Sequence, residues 1–453
     1  MTAERAPFSD GLQRELRVRV AQAQRSWRAP GVSVGVVRDG HLVWSDHVGS
    51  ARLAGPSGPA VPADDDTQFM IGSVTKTFTA VVVLALRDDG LLSLDDTMEA
   101  YVSGTRHGRV PLRQMLAHAS GLQREPVGNI WESLVAPDRE ALLSGAEDAE
   151  QVLPAHHAFH YSNLAYGLLG QVVERVTGRD WEDVVHERVL DPLGMVRTGL
   201  TPADDRARGY QIDPYARTAR EEPLFELRAT APFGGLWSSV ADLSRYAAWL
   251  ARPDGRVLAA ETVDEMCRPI IMTDPDGWSG AYGLGFGMTR RGERVHVGHG
   301  GAMPGFLTGL GVRRPEGVGA VVFANATSGA LSMRLAADLV EAVIDAEPPL
   351  ASPWAPEQPD PALAPLLGAW WAEGSPITFF VRDGELWSHL VEDEALTETR
   401  YAAEGPDRFR AVAGRERGEV LEVVRAPDGS IARLYFATYA VTREPLAFAD
   451  LTD

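Results

Sequence analysis

A proline-rich segment near residue 350 divides the sequence and limits it to separate folding units. Seven of the eighteen residues from Pro348 to Pro365 are proline. Proline fixes φ and has no backbone N–H, so this segment predicts a stiff linker rather than a helix or a central strand. A chain of 453 residues is also too long for one compact core. We therefore expect a domain at 1–346, a linker at 347–365 and a second domain at 366–453.

The first part has the pattern of an α+β domain whose sheet is built from both ends. Residues 10–26 and 330–346 carry apolar residues at helical spacing. Asp39-Gly40 separates two β-rich runs, which is a strong hairpin signal, and strand-like runs return between 281 and 325. Helical segments fill most of 91–250. This order predicts an antiparallel sheet with helices between its early and late strands.

The second part alternates apolar and polar residues in short runs. Asp383-Gly384 and Asp428-Gly429 stand between such runs, as two-residue hairpin turns do. We expect a small antiparallel sheet or barrel here.

Charge and composition exclude several partners and compartments. The net charge is −20, with no basic run, which argues against nucleic acid or an anionic membrane as the main partner. The N-terminus lacks the apolar core of a signal peptide, and the longest apolar run, Ala80–Leu86, is far short of a membrane span. One cysteine, Cys267, excludes an internal disulfide. We expect a soluble, cytoplasmic protein.

Lys76 is the only lysine among 43 basic residues. Biased codon usage can explain the excess of arginine. Arginine cannot give up its proton in a protein, however, whereas lysine can. The retained lysine therefore indicates a site that needs a neutral amine.

Ser73 lies three residues before Lys76, at the start of a predicted helix. This spacing places both side chains on one face, with Cβ atoms roughly 5–6 Å apart. A neutral lysine can remove the serine proton and make the hydroxyl a nucleophile. The pair alone is a weak signal, because a serine occurs at this spacing by chance in about one case in twenty at ~5% serine.

Two further motifs contain groups suited to acyl transfer. In Tyr161-Ser-Asn163, the phenol can shuttle a proton and the amide can hold a substrate carbonyl; the alternative is a capped turn before a helix. In His299-Gly300-Gly301, the glycines allow a substrate backbone to approach, and the imidazole can donate a hydrogen bond or relay a proton. The alternative there is a glycine-rich hairpin with an incidental histidine.

Other histidines receive a structural interpretation. His156, His157 and His160 have spacing that a metal can use, but a fourth ligand is missing nearby, so we expect a polar loop. His41 and His118 we interpret as structural.

Taken together, Ser-x-x-Lys, Tyr-x-Asn and His-x-Gly in this order resemble the serine β-lactamase and penicillin-binding-protein superfamily. The match is to the branch of class C β-lactamases, esterases and D-aminopeptidases, and it covers residues 10–346. Flanking segments support it: Phe69–Ala80, Met115–Leu122, Asp191–Met195 and Gly234–Leu243. The second domain, with its closing Val441-Thr-Arg-Glu-Pro, resembles the lipocalin-like barrel appended in this branch. The resemblance implies an antiparallel sheet flanked by helices, a helical subdomain and a small β-barrel.

The resemblance also implies a role for each motif residue. Ser73 is the acylated nucleophile, Lys76 and Tyr161 handle its proton, and Asn163 orients the acyl amide. His299 lines the opposite wall. The backbone N–H groups of Ser73 and Ala302 form the oxyanion hole, Gly300 and Gly301 bind substrate, and no metal or other cofactor is required.

The acceptor of the acyl group stays open at this level. The chain is similar to the standalone penicillin-binding-protein-type thioesterases, which release a nonribosomal peptide from a carrier-protein thioester and close it head to tail. That similarity implies a peptide or small acyl substrate and a substrate-holding arginine, for which Arg443 is the candidate; a salt bridge at the domain junction is the alternative role. A D-aminopeptidase or esterase is the alternative enzyme, and an acylated sensor without turnover is the non-enzymatic alternative.

Overall fold

The structure, a computed structural model, describes residues 8–55, 58–348, 354–356, 360–372, 374–390 and 398–447. The chain forms two compact units, Met1–Pro349 and Leu350–Asp453, which divide within the proline-rich segment. Residues 349–353 and 357–359 of the expected linker, and residues 1–7 of the expected first domain, lie outside the described residues.

The helices of the first unit follow the expected order, with the long ones at both ends and in the middle. Over the described residues of this unit they are α1 (Asp10–Trp27), α2 (Thr75–Asp88), α3 (Leu112–Leu116), α4 (Ile130–Ser133), α5 (Arg139–Asp148), α6 (Asn163–Thr177), α7 (Trp181–Val185), α8 (Asp191–Leu193), α9 (Val240–Ala251), α10 (Ala260–Met266) and α11 (Ser332–Ala346).

The strands of this unit lie mainly before residue 50 and after residue 270. They are β1 (Gly31–Arg38), β2 (His41–Gly49), β3 (Phe69–Met70), β4 (Tyr210–Ile212), β5 (Ala219–Glu221), β6 (Trp237–Ser238), β7 (Ile271–Met272), β8 (Gly280–Tyr282), β9 (Gly287–Arg291), β10 (Arg294–Met303), β11 (Phe306–Arg313) and β12 (Val318–Ala324).

One antiparallel sheet joins the two ends of the unit. Its order is β2-β1-β12-β11-β10-β9-β8-β7, so β1 pairs with β12 across most of the chain. The β1–β2 turn at Asp39-Gly40 has positive φ at both residues, 48° and 87°, which is the geometry that such hairpin turns require. The predicted sheet from both ends is therefore present.

Helices cover both faces of this sheet. On one face, α1 and α11 pack through buried residues such as Leu16 and Leu339 against Val34 and Val322. On the other face, a larger apolar core includes α2, α6 and α9. α2 is buried along nearly its whole length, which explains why its sequence is apolar on all sides.

The second unit is a closed β-barrel. Over its described residues, eight antiparallel strands follow one another in chain order, and the first pairs with the last. They are β13 (Gly368–Ala372), β14 (Ser375–Arg382), β15 (Glu385–Leu390), β16 (Thr399–Gly405), β17 (Arg408–Ala413), β18 (Val420–Arg425), β19 (Ile431–Phe436) and β20 (Tyr439–Thr442). This up-and-down closure gives each of the eight described strands a partner on both sides.

The predicted fold class is confirmed in both units: an α+β domain with a helix-flanked antiparallel sheet, followed by a small antiparallel barrel. Among the described helices, none has the length and apolar content to cross a membrane.

Candidate active site

Ser73 and Lys76 meet at the start of α2. Ser73 lies in a 3-10 turn, Gly72–Val74, which leads directly into the helix. Lys76 is fully buried, and its Nζ lies 3.1 Å from Ser73 Oγ. The same amine donates to the carbonyl of Phe233 at 2.7 Å. A backbone carbonyl thus holds the lysine on the nucleophile, and no carboxylate among the described residues is hydrogen-bonded to it.

The surroundings of Lys76 favour its neutral form. Burial lowers its pKa well below the ordinary value; the Glu125 carboxylate opposes this shift, and the Arg124 guanidinium adds to it. The aromatic ring of Tyr161 lies 4.8 Å from Nζ. A neutral amine at hydrogen-bond distance from a serine hydroxyl is a general base in the required state and position.

Tyr161 is the second proton-handling group. Burial is the larger effect on its phenol and raises the pKa well above the ordinary value, whereas the Ser73 side chain lowers this pKa. The phenol therefore remains protonated when Lys76 has lost its proton. This difference suits Lys76 to act as a base and Tyr161 to act as a proton donor.

The segment around Tyr161 is fixed by the start of α6. Ser162 caps this helix, because its side chain accepts a hydrogen bond from the N–H of Ala165 at 3.0 Å. Asn163 is the first helical residue. Both motif residues line one cleft, so the capped turn and the functional motif are the same feature.

Asn163 is oriented by a carboxylate that the sequence motifs do not include. Its Nδ2 donates to both oxygens of Glu125, at 2.8 and 2.9 Å. Among the described residues, its Oδ1 has no hydrogen-bond partner although it is buried. Both oxygens of one carboxylate lie on the same side of Nδ2, so Glu125 orients the amide. The second N–H of Nδ2 has no partner among the described residues and can donate to a substrate carbonyl. Glu125 follows the Met115–Leu122 segment by three residues, and that proximity is the only sequence signal for it.

His299 forms the opposite wall on β10. Its Nδ1 donates to the carbonyl of Gly300 at 2.6 Å, and its Nε2 accepts from the hydroxyl of Tyr282 at 2.8 Å. Burial, and next the charge of Lys76, lower its pKa to about 4, so the ring is neutral. Either expected role, donation to substrate or proton relay, requires one of these two hydrogen bonds to break.

The two backbone donors of the expected oxyanion hole are brought together by glycines. The pairing of β10 with β9 ends at Gly298–Gly287, and beyond it β10 approaches the Gly72–Val74 turn. A Cβ on Gly72 would lie 2.7 Å from the nitrogen of Ala302, and a Cβ on Gly301 would lie 3.4 Å from the nitrogen of Ser73. Only glycine at these positions lets the two N–H groups approach one reaction centre.

His118 contacts the Tyr-x-Asn segment through hydrogen bonds and a ring contact. Its Nδ1 accepts from the N–H of Ser162 at 3.1 Å, and its carbonyl accepts from the N–H of His160 at 2.8 Å. Its ring lies 4.2 Å from the ring of Tyr161, and burial lowers its pKa well below the ordinary value. His118 therefore positions Tyr161 without reaching the nucleophile.

A cleft of about 810 Å³ contains these groups. It is lined by Ser73, Arg124, Glu125, Trp131, Tyr161, Asn163, Phe233, His299, Gly300, Gly301, Ala302, Met303, Thr308 and Ser332. All predicted site residues of the first unit except the buried base Lys76 thus face one space. Its size is that of a site for a peptide-sized ligand.

Arg443 lies in the second unit, on the barrel. Its guanidinium donates to the carbonyls of Pro365, Leu367 and Ala369 and stacks on the ring of Trp370 at 3.9 Å. These contacts fasten the segment before β13 to the barrel wall. A role of Arg443 in substrate binding stays a prediction.

Comparison with known families agrees with this geometry. Residues 16–344 match the family described as Beta-lactamase, and residues 359–443 match the Domain of unknown function (DUF7586). The first match covers the sheet, the helices and every residue of the cleft.

Individual relatives come from several organisms. The Unguisins hydrolase of Aspergillus campestris is 26% identical, over 78% of this chain and 70% of its own. The D-aminopeptidase of Brucella anthropi is 28% identical, over 63% of this chain and 54% of its own. The octameric penicillin-binding protein homologue from Pyrococcus abyssi shares the fold, with a TM-score of 0.66 and 22% identity over 96% of this chain and 100% of that one.

The chain spans about half the length of several curated relatives that it matches, the D-aminopeptidase included. The family match nonetheless extends over nearly the whole first unit and includes Ser73, Lys76, Tyr161, Asn163 and His299. This chain belongs to the Beta-lactamase family, within the superfamily of serine hydrolases that includes penicillin-binding proteins and D-aminopeptidases.

Proposed function

We propose that this enzyme acylates Ser73 with a peptide and then transfers the acyl group to the amine at the other end of the same peptide, closing a ring. The observation that carries this proposal is the Glu125 carboxylate in the cleft of the nucleophile. Glu125 and Asn163 line the same cleft as Ser73, and the Asn163 amide holds the carboxylate by hydrogen bonds. A carboxylate suits an ammonium group, because an ammonium has only donors and a positive charge to offer it.

The first half-reaction uses neutral Lys76 as a base and protonated Tyr161 as an acid. Neutral Lys76 takes the proton of Ser73 as Oγ attacks the carbonyl carbon of a thioester or ester. The N–H groups of Ser73 and Ala302 hold the oxyanion. The bond from carbon to the leaving sulfur or oxygen then breaks, and the leaving group takes a proton from Tyr161, which regains one from the Lys76 ammonium. The products are an acyl-serine and a free thiol or alcohol.

The second half-reaction reverses these transfers with an amine as acceptor. The amine binds at Glu125 as an ammonium, gives one proton to solvent before attack, and gives another to neutral Lys76 as the new amide bond forms. Ser73 Oγ leaves and takes a proton from Tyr161, which regains one from the Lys76 ammonium. The sum converts a linear peptide thioester into a cyclic amide and a thiol. Presentation of the thioester on a carrier protein is part of the proposal.

A hydrolytic peptidase is the second candidate, and the same carboxylate favours it. In that reaction Glu125 holds the α-ammonium of an amino-terminal residue, and water accepts the acyl group. The D-aminopeptidase of Brucella anthropi and the Unguisins hydrolase of Aspergillus campestris, both similar to this chain, support this alternative by their names. The two candidates differ in the acyl donor and in whether an amine or water attacks the acyl-enzyme.

The test uses a linear peptide of five to eight residues with a D-residue at its C-terminus, as the N-acetylcysteamine thioester. We expect a product one water lighter than the free acid in the mass spectrum. A matched peptide with an acetylated N-terminus should give no such product. Ser73→Ala should give neither product above the uncatalysed rate.

Two results would decide against the proposal. Free acid alone from the unblocked peptide would show that water is the acceptor, and release of the first residue from a D-aminoacyl p-nitroanilide would then identify the peptidase. Equal turnover by Ser73→Ala would overturn both candidates, because each depends on acylation of Ser73.

A further inference from the structure

The described residues fill the interior of the C-terminal barrel only in part. One part contains large, buried apolar side chains: Leu366, Trp370, Phe379, Leu386, Phe409, Leu421 and Leu434. The remaining part is lined at several positions by small or hydroxyl side chains, namely Ala372, Ser375, Ser388 and Thr399. These leave a cavity of about 240 Å³ inside the barrel. Eight-stranded barrels have an interior that side chains can fill or that can hold one small ligand.

Two neighbouring hydroxyl groups line this cavity. Ser388 Oγ and the hydroxyl of Tyr401 lie 2.9 Å apart, and both residues are 2% exposed. Burial raises the pKa of Tyr401 to about 12, so it remains a phenol. Two hydroxyls have two protons, and their mutual hydrogen bond uses one of them. Among the described residues neither hydroxyl has a further hydrogen-bond partner, so the second proton can be donated to an acceptor in the cavity.

Apolar side chains form one part of the wall and limit the size of an occupant. Ile377, Leu390, Phe436 and Val441 line the cavity beside the hydroxyl pair. A cavity of about 150 Å³ lined by apolar side chains binds benzene. The volume here therefore accommodates one aromatic ring with a short polar arm.

One positively charged and one negatively charged side chain lie next to each other in the lining of the cavity. Arg415 and Glu416 line the cavity, and their side chains are 3.2 Å apart and 69% and 39% exposed. An exposed ion pair of this kind contributes little to stability, so its groups can exchange partners at small cost. Arg415 offers donors to a carboxylate, and Glu416 offers acceptors to an ammonium.

We propose that this barrel cavity is a binding site for an aromatic α-amino acid. The ring lies against Ile377, Phe436 and Val441, and the zwitterionic arm reaches Arg415 and Glu416. The site uses no residue of the Ser73 cleft, so it does not depend on the proposed acyl transfer.

The test is isothermal titration of the full-length Ser73→Ala variant with D- and L-phenylalanine. We expect saturable binding of at least one enantiomer with one equivalent per chain. Arg415→Gln should weaken it by about two- to fivefold, because it removes an ion pair to the carboxylate at an exposed position. Ser388→Leu should abolish it by filling the cavity. Arg417→Gln is the matched control: Arg417 is also exposed, does not line the cavity, and should leave binding unchanged.

Two further measurements keep the result unambiguous. Glu125→Gln should leave phenylalanine binding unchanged; a loss with Glu125→Gln and not with Arg415→Gln would place the ligand in the Ser73 cleft and overturn the proposal. Absence of saturable binding in the parent protein would also overturn it. Arg415 is at the surface, so its variant keeps the test valid even where Ser388→Leu fails to fold.

Discussion

The amine of Lys76 lies 3.1 Å from the hydroxyl of Ser73, in a site where burial holds the pKa of the lysine well below its ordinary value. Arginine at this position would keep a positive charge but supply no base. We expect Lys76→Arg to lower the rate of acylation by about 10²–10⁴-fold. The measurement is the pre-steady-state burst of p-nitrophenol release from a p-nitrophenyl ester in excess over the enzyme.

The background for this comparison is Ser73→Ala, which removes the nucleophile and defines the rate without an acyl-enzyme. Thermal unfolding of Lys76→Arg, followed by circular dichroism, separates lost catalysis from lost folding. A folded Lys76→Arg protein with a near-normal burst rate would remove Lys76 from the role of base.

The same pKa shift gives the sign of the pH dependence. Lys76 acts when unprotonated, so kcat/KM rises with pH through the lysine pKa and then levels off. Burial lowers that pKa, so the plateau begins well below the ordinary lysine value of 10.5. Because burial raises the pKa of Tyr161 above 10.0, the phenol causes no decline below that pH. The measurement is a plot of kcat/KM against pH. A kcat/KM that still rises at pH 10, or that already declines with increasing pH before pH 9, would contradict this assignment.

Gly301 allows β10 to approach the nucleophile turn. A Cβ at this position would lie 1.9 Å from the carbonyl oxygen of Ile71, a backbone atom that cannot move independently. Gly301→Ala should therefore push β10 away and separate the Ala302 N–H from the Ser73 N–H. We expect kcat to fall by about 10²–10³-fold, the loss typical of one missing oxyanion donor. Affinity for a phenylboronic acid, which forms a tetrahedral adduct with the serine, should fall in parallel.

Gly300→Ala is the matched control for this prediction. Its Cβ would meet the side chain of Met333 at 3.1 Å, and a flexible methionine can shift. We expect a much smaller change in both kcat and boronate affinity. Equal losses in the two variants would show that general disturbance of β10, rather than the approach at Gly301, causes the effect.

The sequence identified the parts of the site that depend on local spacing. Ser73 and Lys76 share the start of one helix, and Asp39-Gly40 makes the expected hairpin. Their geometry follows from a few neighbouring residues, so a linear pattern contains it. The resemblance to a known superfamily then supplied the connection between these residues and the distant Tyr161 and His299.

The missed features all depend on contacts between distant segments. The Tyr-x-Asn motif indicated an amide that holds a substrate carbonyl, but it did not indicate that Glu125, from a separate loop, orients this amide. His299 has both nitrogens engaged because Tyr282 from β8 reaches it. The sequence pattern names the side chains but does not show which polar atom of each remains available.

Glu125 should set the affinity for an amine without setting the rate of acylation. Glu125→Gln keeps one acceptor for Asn163 but removes the charge, so KM for substrates with a free amine should rise by about tenfold or more. Esters without an amine should bind unchanged. The Glu125 charge also raises the pKa of Lys76, so its removal should move the acid limb of kcat/KM to lower pH.

The control for Glu125 is Glu132→Gln, an exposed carboxylate on α4 that does not line the cleft. It should change neither KM nor the pH profile. Equal increases of KM for esters with and without an amine in Glu125→Gln would show that the carboxylate only shapes the cleft.

His118 should act on catalysis through Tyr161 rather than on substrate binding. Asparagine is the conservative replacement, because its Oδ1 can replace Nδ1 as acceptor for the Ser162 N–H and because it tolerates the left-handed φ of 55° found here. His118→Asn keeps that hydrogen bond but loses the ring under Tyr161, whereas His118→Leu loses both. We expect kcat to fall by about tenfold in His118→Asn and further in His118→Leu, with KM unchanged in both, since a misplaced catalytic group slows the chemical step.

A merely structural role would instead lower the melting temperature of both variants and leave kcat per folded molecule unchanged. Steady-state kinetics on a p-nitrophenyl ester, normalised to active sites titrated by the burst, distinguish these outcomes.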